Sequence, residues 1–255
     1  MKDLASVRER FAPPPRVHVV VKKEDVDPAR LAGRIVIVLD ILVATTTIVT
    51  ALDAGATAVH FAEDQHEARR IAATMAPGTY HIAGEDHLAA IAGFSTALPL
   101  ELTARPDFAG KPLVYSTTNG TVALRRSQGA DIIYATSLRN VGATLASIAA
   151  RKSDAPLVIV CAGSAGALNL EDFYAAGCIV DRLMPDLDPT RDLSDTALAA
   201  RAAYRAGDAL ATLSQARVGR IIRGAGGERE VRHAAEIDAS SLVAVVEENR
   251  VVRSN

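Results

Sequence analysis

The sequence has few cysteines and no large excess of one charge. Its 255 residues include only Cys161 and Cys178, which form neither a CxxC pair nor a Cys/His set with zinc-ligand spacing. Neither a disulfide framework nor a structural zinc site is therefore indicated. The 28 basic and 30 acidic residues occur without long blocks and give a net charge of -2. Because nucleic-acid and anionic-membrane binding need a basic surface, a small-molecule partner is favoured over both.

Signals for secretion and membrane insertion are also missing. The opening segment 1–16 is charged, carries three consecutive prolines and lacks the apolar core of a signal peptide. No later segment approaches the run of about 20 apolar residues that crosses a bilayer. We expect a cytoplasmic protein that does not enter a membrane.

Several common enzyme motifs are absent. The chain has no GxGxxG after a strand pattern, no GxxxxGK[ST], no GxSxG and no HExxH. These absences argue against dinucleotide-binding, P-loop, α/β-hydrolase and zincin sites. The DxDxT signature of aspartyl-phosphate phosphatases is incomplete, because Leu42 stands where a second acid would follow Asp40.

The chain does contain a regular alternation of strand and helix patterns. Its 49% hydrophobic content supports a large core, in one domain or two lobes. Apolar, β-branched runs predict strands at 17–21, 35–39, 58–62, 80–83, 113–115, 132–135, 157–161 and 242–246. Helices are predicted at 48–54, 64–75, 122–128, 141–152, 195–214, 216–223 and 228–236. This order is typical of an α/β fold with helices on both faces of a largely parallel sheet.

The last third of the sequence differs from the rest. Segment 183–194 is rich in Asp and Pro, and Asp195 is predicted to be the N-cap of the long alanine-rich helix that follows. We expect this helix and the two after it to pack as a cap on the sheet.

One internal similarity suggests a duplication. TTTIVTALDAGATAVHFA, from Thr45, and NGTVALRRSQGADIIYA, from Asn119, each run from threonine through a helix to Gly-Ala and a strand. Thr47 and Thr121 lie at the same distance from the two Gly-Ala pairs. The alternative is that any two βαβ units look alike, because Gly-Ala ends a helix and leads into a strand.

Polar residues follow two of the predicted strands, in segments that could each open a helix. DILVATTT begins at Asp40, and STTNGT begins at Ser116. Hydroxyl groups and unpaired backbone N–H groups at a helix N-terminus suit an oxyanion, although ordinary helix capping uses the same residues and is commoner. The candidate phosphate-binding residues are Thr45, Thr46, Thr47, Thr117, Thr118, Asn119, Gly120 and Thr121.

Acidic residues are expected at the same edge of the sheet. Ligands of open α/β sheets collect outside the carboxyl ends of parallel strands, where Asp40, Glu85 and the loop before Glu171 and Asp172 would lie. Carboxylate oxygens suit a hard cation such as magnesium, whereas acids in a first helical turn also stabilise the helix by themselves. Among the histidines, His87 is the candidate for proton transfer, with a solvated loop histidine as the alternative.

These segments together resemble the 2-phosphosulfolactate phosphatase family. The similarity covers nearly the whole chain and is carried by IVIVLDILVATTTIVTAL, AGEDHLAAIAGF, GKPLVYSTTNGTVAL, YATSLRNVGA, VIVCAGSAGALNLEDFYAAGCIV and GRIIRGAGGEREVRHAAEID. The resemblance implies a three-layer α/β/α fold in which residues 1–255 form one domain. It also implies two similar, intimately packed subdomains with mainly parallel or mixed sheets and the active site between them.

The activity implied by the resemblance is magnesium-dependent removal of phosphate from 2-phosphosulfolactate, which gives sulfolactate and phosphate. The implied catalytic residues are Asp40, Glu85 and Asp172, and the implied Mg²⁺ ligands are Asp40, Glu85, Glu171 and Asp172. The expected partners are a small phosphorylated anion and a second copy of the chain, because two-fold homodimers are the commonest assembly.

Three segments depart from the family pattern. Val43 stands where family members usually have the arginine of D-x-LRATTT, Asp86 replaces the arginine of GER, and GFSTALPLE replaces GFDxGNSP. A guanidinium group binds phosphate or sulfonate through two parallel hydrogen bonds, which valine cannot make. Two alternatives therefore stand beside the family activity: a phosphatase for a different phosphorylated hydroxy acid, and a catalytically impaired relative that binds a small anion.

Overall fold

A mixed sheet of ten strands runs through the computed structural model, which describes residues 16–187 and 192–254. The strands are β1 Val17–Val20, β2 Ile35–Leu39, β3 Val59–Ala62, β4 His81–Asp86, β5 Ala89–Ala90, β6 Leu113–Ser116, β7 Ile132–Thr136, β8 Leu157–Cys161, β9 Val243–Glu247 and β10 Arg250–Ser254. Their order across the sheet is β1-β8-β2-β7-β9-β10-β3-β6-β4-β5. The α/β fold class predicted from the sequence is confirmed.

The sheet consists of two parallel groups joined by an antiparallel hairpin. Strands β1, β8, β2 and β7 are parallel to one another, as are β3, β6 and β4. The hairpin β9-β10 lies between the groups and pairs antiparallel with β7 on one side and β3 on the other. The carboxyl ends of the strands within each group therefore reach the same edge of the sheet.

Ten α-helices accompany these strands in the described residues. They are α1 Ala44–Asp53, α2 Gln65–Ala72, α3 Pro99–Thr103, α4 Gly120–Arg126, α5 Val141–Ala150, α6 Leu170–Leu183, α7 Asp195–Arg205, α8 Ala209–Gln215, α9 Arg217–Gly224 and α10 Glu228–Ala235. All five residues of β2 are buried: Ile35, Ile37 and Leu39 belong to one core cluster, and Val36 and Val38 to the other. A strand buried on both faces in this way has helices above and below it.

The two similar sequence segments connect the two parallel groups. Helix α1 leads from β2 in one group to β3 in the other, and α4 leads from β6 back to β7. The chain thus passes the β9-β10 hairpin once in each direction. The division into two subdomains stays a prediction.

Several predicted boundaries are wrong. The helix predicted at 195–214 is two helices, because the chain turns after Arg205 and Asp208 starts α8 by accepting the Ala211 backbone N–H. The predicted N-cap Asp195 lies inside α7, whose cap is the Ser194 hydroxyl. The helix predicted at 48–54 begins earlier, at Ala44, and β10 has no predicted counterpart.

In the described residues, none of the helices has the length and hydropathy needed to span a bilayer. The opening segment 1–15 and part of the Asp- and Pro-rich segment, 188–191, lie outside the described residues.

Candidate functional site

Asp40 lies between β2 and α1, in a turn held by a threonine hydroxyl. The backbone N–H of Asp40 donates to the Thr45 hydroxyl oxygen (3.0 Å), and that hydroxyl donates to the Asp40 carbonyl (3.0 Å). The Asp40 side chain is 4% exposed, and the Ala44 backbone N–H donates a hydrogen bond to it. We call residues 39–45 the β2 junction.

The turn between β6 and α4 has the same arrangement. The backbone N–H of Thr117 donates to the Thr121 hydroxyl oxygen (3.0 Å), and that hydroxyl donates to the Thr117 carbonyl (2.8 Å). We call residues 116–121 the β6 junction. Thr45 and Thr121 are both the second residue of a helix and are the equivalent pair, whereas Thr47 donates to the Ala97 carbonyl (2.8 Å). The predicted match of Thr47 to Thr121 fails because α1 has ten residues and α4 has seven.

The two junctions touch each other at Gly120. A Cβ atom on Gly120 would lie 2.4 Å from the Ala44 Cβ and 2.6 Å from the Asp40 Oδ2. No side chain larger than hydrogen fits at this distance. The close approach places the Asp40 carboxylate against the start of α4 as well as the start of α1.

Asp172 connects α6 to the β2 junction. Its Oδ1 accepts the backbone N–H of Ile41 (2.8 Å), and its Oδ2 accepts that of Gly163, just after β8 (3.2 Å). The side chain is fully buried, and burial, together with the charges of Asp40 and Glu171, raises the pKa of Asp172 well above its usual value. The geometry shows Asp172 joining the ends of two neighbouring strands.

Glu85 connects β4 to the β6 junction in a similar way. Its Oε1 accepts the Thr118 backbone N–H (2.8 Å), and its Oε2 accepts the Thr118 hydroxyl (3.1 Å) and the Leu88 backbone N–H (2.6 Å). The carboxylate therefore holds both the β6 junction and the loop that follows β4.

Glu171 differs from the other three carboxylates. It is 1% exposed, and both of its carboxyl oxygens are buried without a hydrogen-bond partner. Among the described residues, only the Nε atom of Arg139 shares this condition. A buried carboxylate without partners is unfavourable, and native proteins rarely contain one unless a ligand or ion supplies the missing interaction.

The four predicted acidic residues form one electrostatic cluster. Burial, together with the charges of Glu85 and Glu171, raises the pKa of Asp40 to about 7, although the Ala44 N–H and Lys23 act in the opposite direction. Burial also raises the pKa of Glu171 to about 7, although an interaction with its own backbone N–H and the charge of Arg217 act in the opposite direction. Carboxylates this close repel one another when ionised, so a cation would stabilise the cluster.

The predicted phosphate-binding hydroxyls are already engaged by the backbone. Thr45, Thr46 and Thr47 donate to the carbonyls of Asp40, Ile41 and Ala97. Each hydroxyl has one proton, so in this arrangement Thr45 and Thr46 fix the β2 junction and Thr47 joins α1 to the segment before α3. Their role in phosphate binding stays a prediction. To donate to a phosphate oxygen, each hydroxyl would have to give up its hydrogen bond to the carbonyl.

Two basic residues near the cluster were not identified from the sequence. Lys23, 7% exposed, donates from Nζ to the Oδ1 atom of Asn119 (2.9 Å) and pairs with Glu24 (2.9 Å). Arg217, the first residue of α9, donates to the Ser164 hydroxyl. The only sequence signal for Lys23 is its place just after a strand, and Arg217 comes from a helix remote in sequence.

His87 lies beside the cluster but faces solvent. Its Nδ1 is 2.6 Å from the Asp86 Oδ1, and its side chain is 83% exposed. Its backbone N–H donates to the Thr118 hydroxyl (2.8 Å). In this arrangement the imidazole pairs with a neighbouring carboxylate, and its role in proton transfer stays a prediction.

The donor set fits magnesium in a limited sense. Within residues 16–187 and 192–254, no three His, Cys, Asp or Glu side chains converge into a group that could hold a metal ion. Magnesium usually binds one or two protein carboxylates and completes its shell with water and substrate phosphate. Asp172 and Glu85 each accept two backbone N–H groups, whereas Asp40 accepts one, from Ala44, and Glu171 accepts none. Asp40 and Glu171 therefore have the most oxygen lone pairs left for a cation.

A large cleft opens beside the cluster. It has a volume of about 1080 Å³. Its walls include Leu42 and Val43 of the β2 junction, Gly84 and Glu85 of β4, and residues of α3, α9 and α10. Glu85 therefore belongs both to the carboxylate cluster and to the cleft wall.

Comparisons with known proteins agree on one family. A protein-family profile described as 2-phosphosulpholactate phosphatase matches residues 20–249. A probable 2-phosphosulfolactate phosphatase of Symbiobacterium thermophilum is 38% identical over 183 residues, which are 71% of this chain and 77% of the relative. A protein of the same name from a Synechococcus species is 35% identical over 213 residues, 81% of this chain and 86% of the relative. The matched residues include the whole of the carboxylate cluster.

Proposed function

The chain belongs to the 2-phosphosulpholactate phosphatase family, and we propose that it is a magnesium-dependent phosphomonoesterase. The proposed reaction is hydrolysis of 2-phosphosulfolactate, or of a related phosphorylated hydroxy acid, to the free hydroxy acid and phosphate. Water supplies the oxygen that phosphate gains when the bond between phosphorus and the alcohol oxygen breaks.

The observation that carries this proposal is the unpartnered carboxylate of Glu171. Both of its oxygens are buried without a hydrogen bond, and its charge raises the pKa of Asp40. A divalent cation at this point would supply the interaction that Glu171 lacks and would offset the repulsion among the four acids. Asp40 and Glu171 are the residues proposed to hold it.

When bound, magnesium offsets the charge of the phosphoryl group and helps to orient the attacking water. The chain's own residues set the geometry. Asp172 fixes the ends of β2 and β8 on the Ile41 and Gly163 backbone N–H groups, and Glu85 fixes the β6 junction through Thr118. Lys23, held by Asn119, supplies a positive charge on the side of the β6 junction.

The decisive experiment is a phosphate-release assay. Phosphorylated hydroxy acids, including 2-phosphosulfolactate, are tested with magnesium and with a chelator on the wild type, Asp40→Asn and Glu171→Gln. We expect release that depends on magnesium and is abolished or strongly reduced in both variants. Asp195→Asn, an exposed acid in α7, is the matched control and should retain wild-type activity.

Metal binding provides a readout independent of turnover. Thermal unfolding is measured over a magnesium titration, because a ligand that binds only the folded state raises the midpoint. The wild type and Asp195→Asn should be stabilised, and Glu171→Gln should lose most of that response. If no substrate releases phosphate above the level of Asp40→Asn, the impaired, anion-binding relative is the better description.

Acid quenching separates two roles of Asp40. If its carboxylate attacks phosphorus, a peptide containing Asp40 carries one extra phosphoryl group after a brief reaction. If Asp40 only holds the cation, no such peptide forms although phosphate is released.

We also propose that the protein acts in the cytoplasm as a homodimer on a small phosphorylated anion, without a nucleic-acid partner. Light scattering at several protein concentrations tests the dimer. A single species with the mass of one chain would contradict it.

A further inference from the structure

The cleft beside the carboxylate cluster is much larger than a phosphate group requires. Its volume of about 1080 Å³ is slightly above the range of small-molecule sites, roughly 300 to 1,000 Å³. It begins at Val43 and Glu85 and continues between α3 on one side and α9 and α10 on the other. The part of the cleft beyond the cluster therefore has room for the rest of a substrate.

The walls of this outer part are mainly apolar. Their large apolar side chains include Leu42, Val43, Leu88, Phe94, Val218 and Ile221. Leu88 and Ile221 are 49% and 45% exposed, and they are two of only four large apolar side chains in the described residues with that degree of exposure. Isolated exposed leucines are ordinary, but two on the walls of one cleft form an apolar patch that a ligand can cover.

The charged residues that line the cleft disfavour binding of a second anionic group of the substrate. Glu85, Glu101 and Glu230 line it, and Arg229 is its one basic residue. Glu230 accepts the backbone N–H groups of Leu100 (3.0 Å) and Glu101 (3.1 Å), and the charge of Arg229 acts on it. A sulfonate or second carboxylate in the outer cleft would meet three acids and one arginine that already has an anionic neighbour.

We propose that the outer cleft binds an apolar side chain, so that the preferred substrates are phosphorylated 2-hydroxy acids with an alkyl chain in place of an anionic group. This inference rests on the proposed function, because the phosphate must lie at the carboxylate cluster. Continuity through Val43 and Glu85, which belong to the cleft and also to the β2 junction and the cluster, orients the chain outward from the phosphate.

The test is a series of 2-phosphooxy acids whose side chains lengthen from methyl to hexyl, compared with 2-phosphosulfolactate. Burial of each added methylene should raise kcat/KM roughly threefold to fourfold until the cleft is filled. Ile221→Gln should reduce this dependence on chain length. Leu198→Gln replaces an apolar residue of similar exposure in α7, outside the cleft, and should preserve the dependence.

The outcomes separate this inference from the phosphatase proposal. Phosphate release that is fastest with 2-phosphosulfolactate and does not increase with chain length overturns the inference and leaves the activity intact. If the protein releases no phosphate from any of these substrates, the binding of alkylphosphonates of increasing length is measured by calorimetry. Affinity that increases with chain length supports an apolar cleft, and affinity that does not change with length overturns the inference. If Ile221→Gln converts a dimer into a monomer without changing the length dependence, the cleft is a subunit interface and the inference fails.

Discussion

The chain enters a helix in the same way after β2 and after β6. In each turn one threonine hydroxyl accepts the backbone N–H of an earlier residue and donates to the carbonyl of that same residue. In the β2 junction that residue is Asp40, whose buried carboxylate lies among other acids. In the β6 junction the residue is Thr117, and the nearby Asn119 binds Lys23. Similar backbone turns thus carry different side chains: the β2 junction presents the Asp40 carboxylate, and the β6 junction presents the Asn119 amide, which is hydrogen-bonded to Lys23. The chemistry depends on these side chains more than on the turn itself.

The largest expected effect comes from removing the negative charge of the β2 junction. Asp40→Asn keeps the shape beneath Gly120 and should lower kcat roughly 100- to 1000-fold, the range for loss of an electrostatic contribution to a transition state. Steady-state phosphate release measures it. Asn119→Asp makes the converse change in the β6 junction and should have a smaller effect, because Lys23 can pair with the new acid. Equal losses would mean that the two junctions do not differ in role.

The contact between the junctions can be broken directly. Gly120→Ala places a Cβ 2.4 Å from the Ala44 Cβ, and overpacking of this kind costs about 1–3 kcal/mol of unfolding free energy. Urea denaturation gives the value. The matched control is Gly224→Ala at the end of α9, where nothing lies within 4 Å of the added atom. Alanine should be neutral or slightly stabilising there.

The raised pKa values of Asp40 and Glu171 make the free energy of unfolding depend on pH. The unfolded chain releases the protons of Asp40 and Glu171 near about pH 4, whereas the folded, metal-free protein keeps them to about 7. The folded state then binds more protons in this window, so its free energy of unfolding decreases as the pH rises through the window and levels off above it. Because each unit of pKa difference corresponds to about 1.4 kcal/mol, we expect a decrease of several kcal/mol.

Denaturant titrations at about pH 4.5 and about pH 8 measure this decrease. Asp40→Asn should remove part of it, while Asp195→Asn should leave it unchanged. Magnesium should stabilise the wild type more at the higher pH, because metal ligands must lose their protons. A free energy of unfolding that rises across the window in metal-free buffer would contradict the raised pKa values.

The smallest expected difference between the junctions comes from the two threonine hydroxyl groups. Thr45→Val and Thr121→Val each leave a buried backbone N–H without its partner, at a cost of about 1–3 kcal/mol. The stability losses should be similar, because the hydrogen bonds are the same. The loss of kcat should be greater for Thr45→Val, since Thr45 holds Asp40. Serine at either position should restore most of the stability, and equal losses of kcat would contradict the proposed difference between the junctions.

Sequence patterns located the acids but not their separate roles. Asp40, Glu85 and the Glu171-Asp172 pair were expected at one edge of a parallel sheet, and the structure places all four in one electrostatic cluster. The expected reason is wrong, because the group that contains β2 and the group that contains β4 run in opposite directions. Nothing in the sequence distinguishes Asp172, which binds the Ile41 backbone N–H 131 positions away, from its unpartnered neighbour Glu171. That difference depends on how β2 and α6 pack, and local patterns carry no information about it.

Local chemistry also explains which boundaries were wrong. The segment 195–214 has a helical pattern throughout, and the break depends on Gly207 and on the Asp208 cap, two residues within an alanine-rich run. Lys23 was overlooked because a lysine after a strand is ordinary, and only its contact with Asn119, 96 positions away, gives it significance.

The passage of the chain between the two parallel groups has a consequence for synthesis on the ribosome. Strand β2 pairs with β7 and β8, both of which are translated long after it, and the Ile41–Asp172 bond needs α6 as well. An entirely apolar strand therefore emerges without either of its neighbours, and non-local pairing of this kind is slow. The apolar segment IVIVL therefore lacks the strands that bury it until most of the protein has been made, which makes β2 the segment most exposed to aggregation during synthesis.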